Sequence, residues 1–113
     1  MQLTRKQIDQ LGQMSREHFV LRLVQQVRLD WPEEVAVMGH ERAERAVRLA
    51  VNTALRHGLD TEFDIARLVL LVFAHRSMQF LAEPWAVEHL QGEGPPRERM
   101  NHLFDAAMAT LPN

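Results

Sequence analysis

Hydrophobic residues recur at the spacing of α-helices along almost the whole chain, and no segment shows the convincing alternation that predicts a strand. The first helical pattern begins near Thr4, whose side chain can cap free backbone amides. It ends at Trp31-Pro32, because the residue before a proline avoids the helical region. The pattern fits either one helix to about Leu29 or two pieces broken near Ser15.

A second long helix is predicted from about His40 to His57. Its apolar residues share one side, which we expect to face the core: Val47, Ala50, Val51, Ala54 and Leu55. Gly58 suits the left-handed conformation that often follows a helix end, and Leu59 is the apolar residue that commonly accompanies it. The residues before this helix, 33–39, are ambiguous, and a short helical turn is one interpretation of them.

The most apolar helix follows, with Asp60 or Thr61 at its start. Its stretch IARLVLLVFAH is apolar almost all round. Only a thin polar stripe interrupts it, formed by Asp64, Arg67, His75 and Gln79. A helix that is apolar on nearly all sides lies in the middle of a bundle. Residues 62–82 are therefore predicted to form the central buried helix.

Prolines and glycines divide the C-terminal part of the chain. Pro84 opens a short helix over 84–90, since proline is tolerated in the first turn. Residues 91–96 form a loop, and a last helix covers about 96–110. The whole pattern predicts a single all-α domain over residues 1–113, an antiparallel bundle of four to five helices.

The length of the chain fits a single domain, and its charge disfavours functions that need a broad positive surface. A chain of 113 residues is one domain on length grounds. Its 13 basic and 15 acidic residues give a net charge of −2, so no broad positive field attracts nucleic acid or an anionic membrane. The N-terminus has no apolar core of the signal-peptide type, and the longest apolar run, Leu68–Ala74, is far shorter than the ~20 residues of a membrane span. We therefore expect a cytoplasmic protein without a membrane partner.

Few residues have the spacing that catalysis or metal binding requires. The absence of cysteine excludes disulfides, thiol catalysis and thiolate metal sites. None of the six histidines pairs with another at i, i+4, and neither HExxH nor Glu-x-x-His occurs. The two serines, Ser15 and Ser77, are not on a nucleophile elbow. We therefore predict no metal, no cofactor and no catalytic residue, in a protein that is not an enzyme.

Two polar groupings leave other functions open. The segment ERAERAVR, residues 41–48, places charges of alternating sign where ion pairs at i, i+3 and i, i+4 can form. This favours a solvated face, so a helical dimeric regulator that binds nucleic acid is a less favoured alternative. His75 and Arg76 are either a functional pair beside a pocket, in a small-molecule binder or small enzyme, or a satisfied bundle histidine beside an arginine that reaches the edge.

Two tryptophans neighbour prolines at predicted helix corners, in Trp31-Pro32 and Pro84-Trp85. Such residues are good anchors for a protein interface, although each can instead pack as a lid over the core. The favoured hypothesis is a protein-binding module. Its predicted partner contacts surround the Gly/Pro loop and are Trp85, His89, Arg97 and Arg99. Homodimerisation through apolar helix faces is a further alternative.

The order of several short motifs carries a resemblance to a known group. A helix ends in Trp-Pro, an arginine-rich helix runs into ALRHGLDTEFD, and an apolar helix is followed by PWAVEHL, a Gly/Pro loop and RERM. In this order the chain resembles a loose group of small all-helical accessory or immunity proteins encoded beside bacterial type VI secretion effectors and polymorphic toxins. The resemblance implies a non-enzymatic partner of a toxin or effector, with an accessory, chaperone-like or immunity role. It implies no catalytic residue.

Overall fold

Helices joined by short turns make up the structure, a computed structural model that describes the backbone of residues 5–75 and 78–110 and the side chains of residues 16–75 and 80–110. Within these ranges there are six α-helices, one 3-10 turn and no strand. The helices are α1 (Arg5–Asp30), α2 (Pro32–Met38), α3 (His40–Arg56), α4 (Glu62–Ala74), α5 (Pro84–Gln91) and α6 (Pro96–Ala109), and the 3-10 turn between α4 and α5 is Met78–Ala82. The all-α bundle is confirmed, with six helices where four to five were predicted.

Helix α1 is continuous through Ser15, so the alternative of two shorter pieces is wrong. It ends just before Trp31-Pro32, as the proline predicts, and Pro32 opens α2 in the first turn, where its missing N–H costs no hydrogen bond. The ambiguous segment 33–39 belongs almost entirely to α2. The predicted cap, Thr4, lies outside the described residues.

A glycine turn closes α3 as the sequence predicts. Gly58 has a φ of +81°, in the left-handed region that glycine adopts without a Cβ clash. Its N–H bonds the Leu55 carbonyl at 3.1 Å, and the Leu59 N–H bonds the Ala54 carbonyl at 3.0 Å. These bonds satisfy carbonyls at the helix end, and Leu59 is buried in the core.

Helix α4 is the centre of the bundle. It packs against α1, α3 and α6, and its side chains Leu68, Val69 and Phe73 are buried. Thr61 caps its N-terminus, because the Thr61 hydroxyl accepts the Asp64 N–H at 3.2 Å. The predicted start of the helix and its central position are both confirmed.

The predicted extent of this helix, 62–82, is wrong at its C-terminal end. Helix α4 ends at Ala74, and the backbone N–H and the ring Nδ1 of His75 both lie near the Leu71 carbonyl oxygen, at 3.0 and 3.1 Å. A straight helix would continue roughly 12 Å beyond Ala74 and carry Phe80 away from the core. The 3-10 turn instead returns Phe80 to the interior, where it is 2% exposed.

The bundle is flat. Its Cα atoms span 56 × 37 × 18 Å, and the shortest dimension suits two layers of helices with axes about 8–10 Å apart. A helix in such a layer buries one side and leaves the other exposed. Helix α3 packs on α1, α2, α4 and the 3-10 turn, while its residues Arg42, Arg45 and Leu49 are exposed.

Candidate functional site

The tryptophan predicted to anchor a partner, Trp85, packs against other aromatic rings of this chain. Its ring centroid lies 5.5 Å from that of Phe80, edge to face, and 6.2 Å from that of His75, and the residue is half-buried. Edge-to-face aromatic pairs stabilise the fold by more than the burial of their apolar surface alone would. Trp31 is likewise half-buried, with its ring 6.1 Å from that of Phe73. Both sets of contacts fit the interpretation of the tryptophans as lids over the core.

His75 has internal partners for both ring nitrogens. Its Nδ1 lies 3.1 Å from the Leu71 carbonyl oxygen, and its Nε2 lies 3.3 Å from the Thr110 hydroxyl. Because a carbonyl oxygen only accepts, the hydrogen belongs on Nδ1. The ring also stacks on Phe80 at 4.6 Å between centroids. These contacts fit a satisfied bundle histidine, and Arg76, its predicted companion, lies outside the described residues.

Arg97 is tied to a buried carboxylate. Its Nε lies 2.8 and 2.9 Å from the two carboxylate oxygens of Asp64, a side chain that is 2% exposed. Arg67 donates to the same carboxylate at 2.7 Å, and the Thr61 hydroxyl donates to it at 2.9 Å. Asp64 therefore joins the start of α4 to the first turn of α6 through charge-assisted hydrogen bonds.

The network around Asp64 favours the ionised carboxylate. Burial alone would raise the pKa of Asp64, but the hydrogen bonds from Arg97, Arg67 and Thr61 outweigh burial, and the pKa lies below its ordinary value. The guanidinium groups of Arg67 and Arg97 also lie over the ring of Phe63, 4.7 and 5.0 Å from its centroid. The charge of Arg97 is therefore already compensated inside the protein.

Arg99 fastens the Gly/Pro loop from within. Its guanidinium donates to three backbone carbonyls, those of Leu90, of Gly94 at 3.2 Å and of His57 at 2.9 Å. Leu90 and His57 lie at the C-terminal ends of α5 and α3, where carbonyl groups have no partner within their own helix. Arg99 therefore holds the loop between α5 and α6 against the end of α3.

Three of the four predicted partner contacts have internal interactions: Trp85, Arg97 and Arg99. The fourth, His89, is half-buried one helical turn after Trp85 and forms no hydrogen bond within the described part of the chain. That these four residues contact a partner stays a prediction. A different surface has exposed charged groups that have no partner among the described residues.

A groove runs along the exposed side of α3. It consists of two depressions that share Leu49, and we call them together the α3 groove. The first has a volume of about 190 Å³, lies where α2 meets α3, and is lined by Met38, Arg42, Arg45, Ala46 and Leu49. The second, about 470 Å³, lies between α3 and a wall formed by the 3-10 turn and α5, and its lining includes Leu49, Arg56, Leu81, Ala82 and Val87.

Arg42 and Arg45 line the α3 groove and, unlike their neighbour Arg48, have no counter-charge among the described residues. Arg48 donates to both carboxylate oxygens of Glu17, at 2.5 and 2.9 Å, and to Glu44 at 3.3 Å. Its hydrogen bonds lower the pKa of the Glu17 carboxyl. Arg42 and Arg45 form no hydrogen bond and no ion pair with any residue that the structure describes. Among the described residues, the ion pairs expected in this helix are therefore present at Arg48 and absent at Arg42 and Arg45.

The centre of the α3 groove is apolar and its margin is positive. Leu49 is 48% exposed at the junction of the two depressions. No acidic side chain among the described residues lines either depression. His57, beside Arg56, adds no charge at neutral pH, because burial, and then the nearby Arg56 and Arg99, lower its pKa. The arrangement can receive an apolar side chain and acidic groups together.

The residues of the α3 groove were not among the predicted contacts, although the sequence holds a signal for them. Arg42, Arg45 and Leu49 are spaced by three and four residues, so they lie on one side of α3, away from the inner stripe that includes Val47 and Ala50. A leucine within a basic stripe opposite a complete apolar stripe predicts a second contact face.

The described residues bear on two other classes of site, metal sites and membrane spans. Within the side chains that are described, no group of three or more His, Cys, Asp or Glu residues could hold a metal ion. In the same residues, no helix combines the length and the apolar character needed to cross a membrane.

Comparison of the chain with protein-family models, with curated proteins and with solved structures found no match. The resemblance to small accessory and immunity proteins therefore stays a prediction. A proposal for the function rests on the α3 groove.

Proposed function

We propose that this protein is a non-enzymatic protein-binding module and that the α3 groove is its docking surface. The proposal rests on the exposure of Leu49, which is 48% exposed where the two depressions meet. Arg42 and Arg45 beside it have no partner among the described residues. A protein partner would remove the leucine from water and supply acceptors for the guanidinium groups.

The residue types in the α3 groove are those of a protein interface. Interfaces are enriched in arginine, depleted in lysine, and apolar at their centre. The charged lining residues Arg42, Arg45 and Arg56 surround an apolar centre at Leu49 and Leu81. A nucleic-acid site would use positive charge to contact phosphates and has no need of an apolar floor. A small-molecule site encloses most of its ligand, whereas both depressions are open to solvent.

The class of partner is supported by the sequence resemblance alone. That resemblance implies a bacterial toxin or secretion effector, which this protein would serve in the cytoplasm as an accessory, chaperone-like or immunity protein. In each of these roles the α3 groove binds the partner without catalysing a reaction.

Two aspartate substitutions test the docking surface. Leu49→Asp places a charge in the α3 groove, whereas Leu21→Asp makes the same change at an exposed leucine of α1 that lines neither depression. The two leucines are 48% and 43% exposed, so both aspartates are solvated and both variants should fold, which far-UV circular dichroism checks.

Tagged wild type and the two variants are then purified from the source cell, and the proteins that co-elute are quantified by mass spectrometry. We expect a stoichiometric protein partner with wild type and Leu21→Asp, reduced by about tenfold or more with Leu49→Asp. Equal recovery with the two variants would contradict the proposed surface. The absence of any partner with wild type would contradict the proposed function.

A further inference from the structure

We infer that the α3 groove receives an acidic amphipathic helix of the partner protein. The inference rests on the proposed function, since it names the chemistry of what that surface binds. It follows from three properties of the groove: its length along α3, its two walls, and the sign of its charges.

The length of the groove matches a short helix. Its lining positions on α3 include 42, 45, 49, 53 and 56, which recur every three or four residues and therefore form one straight stripe, with Ala46 beside it. From Arg42 to Arg56 this stripe is about 21 Å long, at about 1.5 Å per residue. A helix of about 14 residues, four turns, covers the same distance.

The walls of the groove suit the ridge of a helix. In the second depression one wall is α3 itself and the other is formed by Leu81 of the 3-10 turn and Val87 of α5. In the first depression Met38 of α2 lies opposite α3, and Leu49 is exposed between the two depressions. A channel between two helical elements accepts the side chains of a third helix as ridges into grooves. An amphipathic helix that docks in this way presents apolar anchors at i, i+3, i+4 and i+7.

The charges of the groove specify acidic residues beside those anchors. Arg42 and Arg45 stand at one end, and Arg56 stands near the other. Within the described residues Arg56 donates one hydrogen bond, to the Thr53 hydroxyl at 3.1 Å, and none of the three arginines pairs with a carboxylate there. Carboxylates flanking the apolar stripe of a docked helix would form charge-assisted, often bidentate, bonds with them.

The same charges disfavour two other occupants. A second copy of the chain laid groove to groove would bring the arginines of both copies together, and like charges at an interface oppose association. A nucleic acid would gain three phosphate contacts but would leave Leu49, Leu81 and Val87 without apolar partners, while the net charge of the chain is −2.

Synthetic peptides of about 18 residues, long enough to form a helix, provide the probes. The test peptide carries leucines on one helical face with glutamates beside them. One control has the same composition in an order that scatters the leucines around the helix, and a second has lysine in place of each glutamate. Binding of the fluorescently labelled peptides to the full chain is measured by fluorescence anisotropy. Only the ordered acidic peptide should bind, with a Kd that rises about tenfold or more between about 50 and about 500 mM salt.

Matched double variants locate the binding. Arg42→Gln with Arg45→Gln removes two charges from the groove and should raise the Kd of the acidic peptide about tenfold. Arg16→Gln with Arg28→Gln removes two exposed charges from α1, outside the groove, and should change the Kd less than about twofold. Because both variants change the net charge equally, a difference in Kd between them would show that the peptide binds at the groove.

Several results would overturn the inference. These are equal binding of the lysine peptide, equal binding of the scattered peptide, or no binding of the acidic peptide at all. Binding of a DNA duplex of about 20 base pairs at about 50 mM salt, lost with the groove variant, would assign the arginines to nucleic acid instead. If the peptides fail but Leu49→Asp still abolishes co-purification of a partner, only the acidic helix is refuted. If the peptides fail and wild type also co-purifies with no partner, the protein-binding function is refuted with it.

Discussion

Replacing Asp64 with asparagine is expected to lower the free energy of unfolding by about 3 kcal/mol. The asparagine keeps the size of the side chain and removes the negative charge that Arg67 and Arg97 share. The Asp64 carboxylate is 2% exposed and the Arg67 side chain is 14% exposed, so water cannot replace the bond between these two residues. The loss would loosen the connection between α4 and α6.

The magnitude follows from the burial of the partners. Removing one member of a buried ion pair costs about 3–5 kcal/mol, because the other charge stays buried without a counter-charge. The lower end applies because Arg97 is 50% exposed and water can solvate it once the carboxylate is gone. Water cannot solvate Arg67 in the same way, since its Nε is already buried without an acceptor among the described residues.

Thermal unfolding followed by far-UV circular dichroism measures the effect, with Glu62→Gln as the matched control. Both acidic residues lie in the first turn of α4 and share its dipole, but Glu62 pairs with Arg22 at the surface, where the side chains are 62% and 65% exposed. In a chain of 113 residues, 1 kcal/mol corresponds to about 4 °C in Tm. Asp64→Asn should therefore lower Tm by about 12 °C, and Glu62→Gln by about 2 °C or less. Equal shifts in Tm would show that the buried Asp64 network adds no more stability than a surface ion pair.

The same carboxylate predicts a dependence of stability on acid. The pKa of Asp64 is lower in the folded protein than its ordinary value of 3.8. The stabilisation is therefore complete above that ordinary value and is lost as the pH falls through the folded pKa. Asp64→Asn should therefore flatten the acid limb of the stability curve relative to wild type, which urea titrations across the acid range would measure.

Three other substitutions test the packing. Trp85→Ala should lower the free energy of unfolding by about 2–3 kcal/mol in urea titrations, because a half-buried aromatic lid is lost, whereas an unchanged midpoint would favour a role in partner contact. Gly58→Ala should destabilise the fold by about 1 kcal/mol, since its φ of +81° strains any other residue while its new Cβ would meet Arg99 only at 3.5 Å. Burial, and then Arg56 and Arg99, lower the pKa of His57, so protonation of its ring destabilises the folded chain, and stability falls as the pH drops below the ordinary value of 6.5. His57→Gln should abolish that loss in urea titrations at about pH 7.5 and about pH 5.5, and an unaltered pH dependence would contradict the assignment.

The helices could be predicted from the sequence wherever local chemistry decides them. Trp31-Pro32 ends one helix, Gly58 closes another, and Thr61 caps a third, because each of these residues acts on its own backbone. The end of α4 at Ala74 could not be predicted in this way. No glycine or proline marks it, whereas the burial of Phe80 and its ring contacts with His75 and Trp85 arise only in the folded chain.

The candidate site was harder to predict, because whether a charged residue is free depends on distant parts of the chain. Arg97 and Arg99 resemble surface arginines in the sequence, but the fold brings Asp64 and the carbonyl of His57 to them, from residues more than thirty positions away. Conversely, Arg45 follows Glu41 by four residues, the spacing of a helical ion pair, and the two form none within the described chain. Sequence patterns therefore indicate which residues can pair but not which do.

Site-specific photocrosslinking in the source cell can show whether a partner protein contacts the α3 groove. A photoreactive phenylalanine derivative is placed at Leu49 in the α3 groove, at Leu21 on α1, and at His89 beside the Gly/Pro loop. We expect a discrete adduct with a partner protein from position 49 and none from position 21. An adduct from His89 alone would assign the contact to the loop, and no adduct from position 49 would contradict the α3 groove as the docking surface.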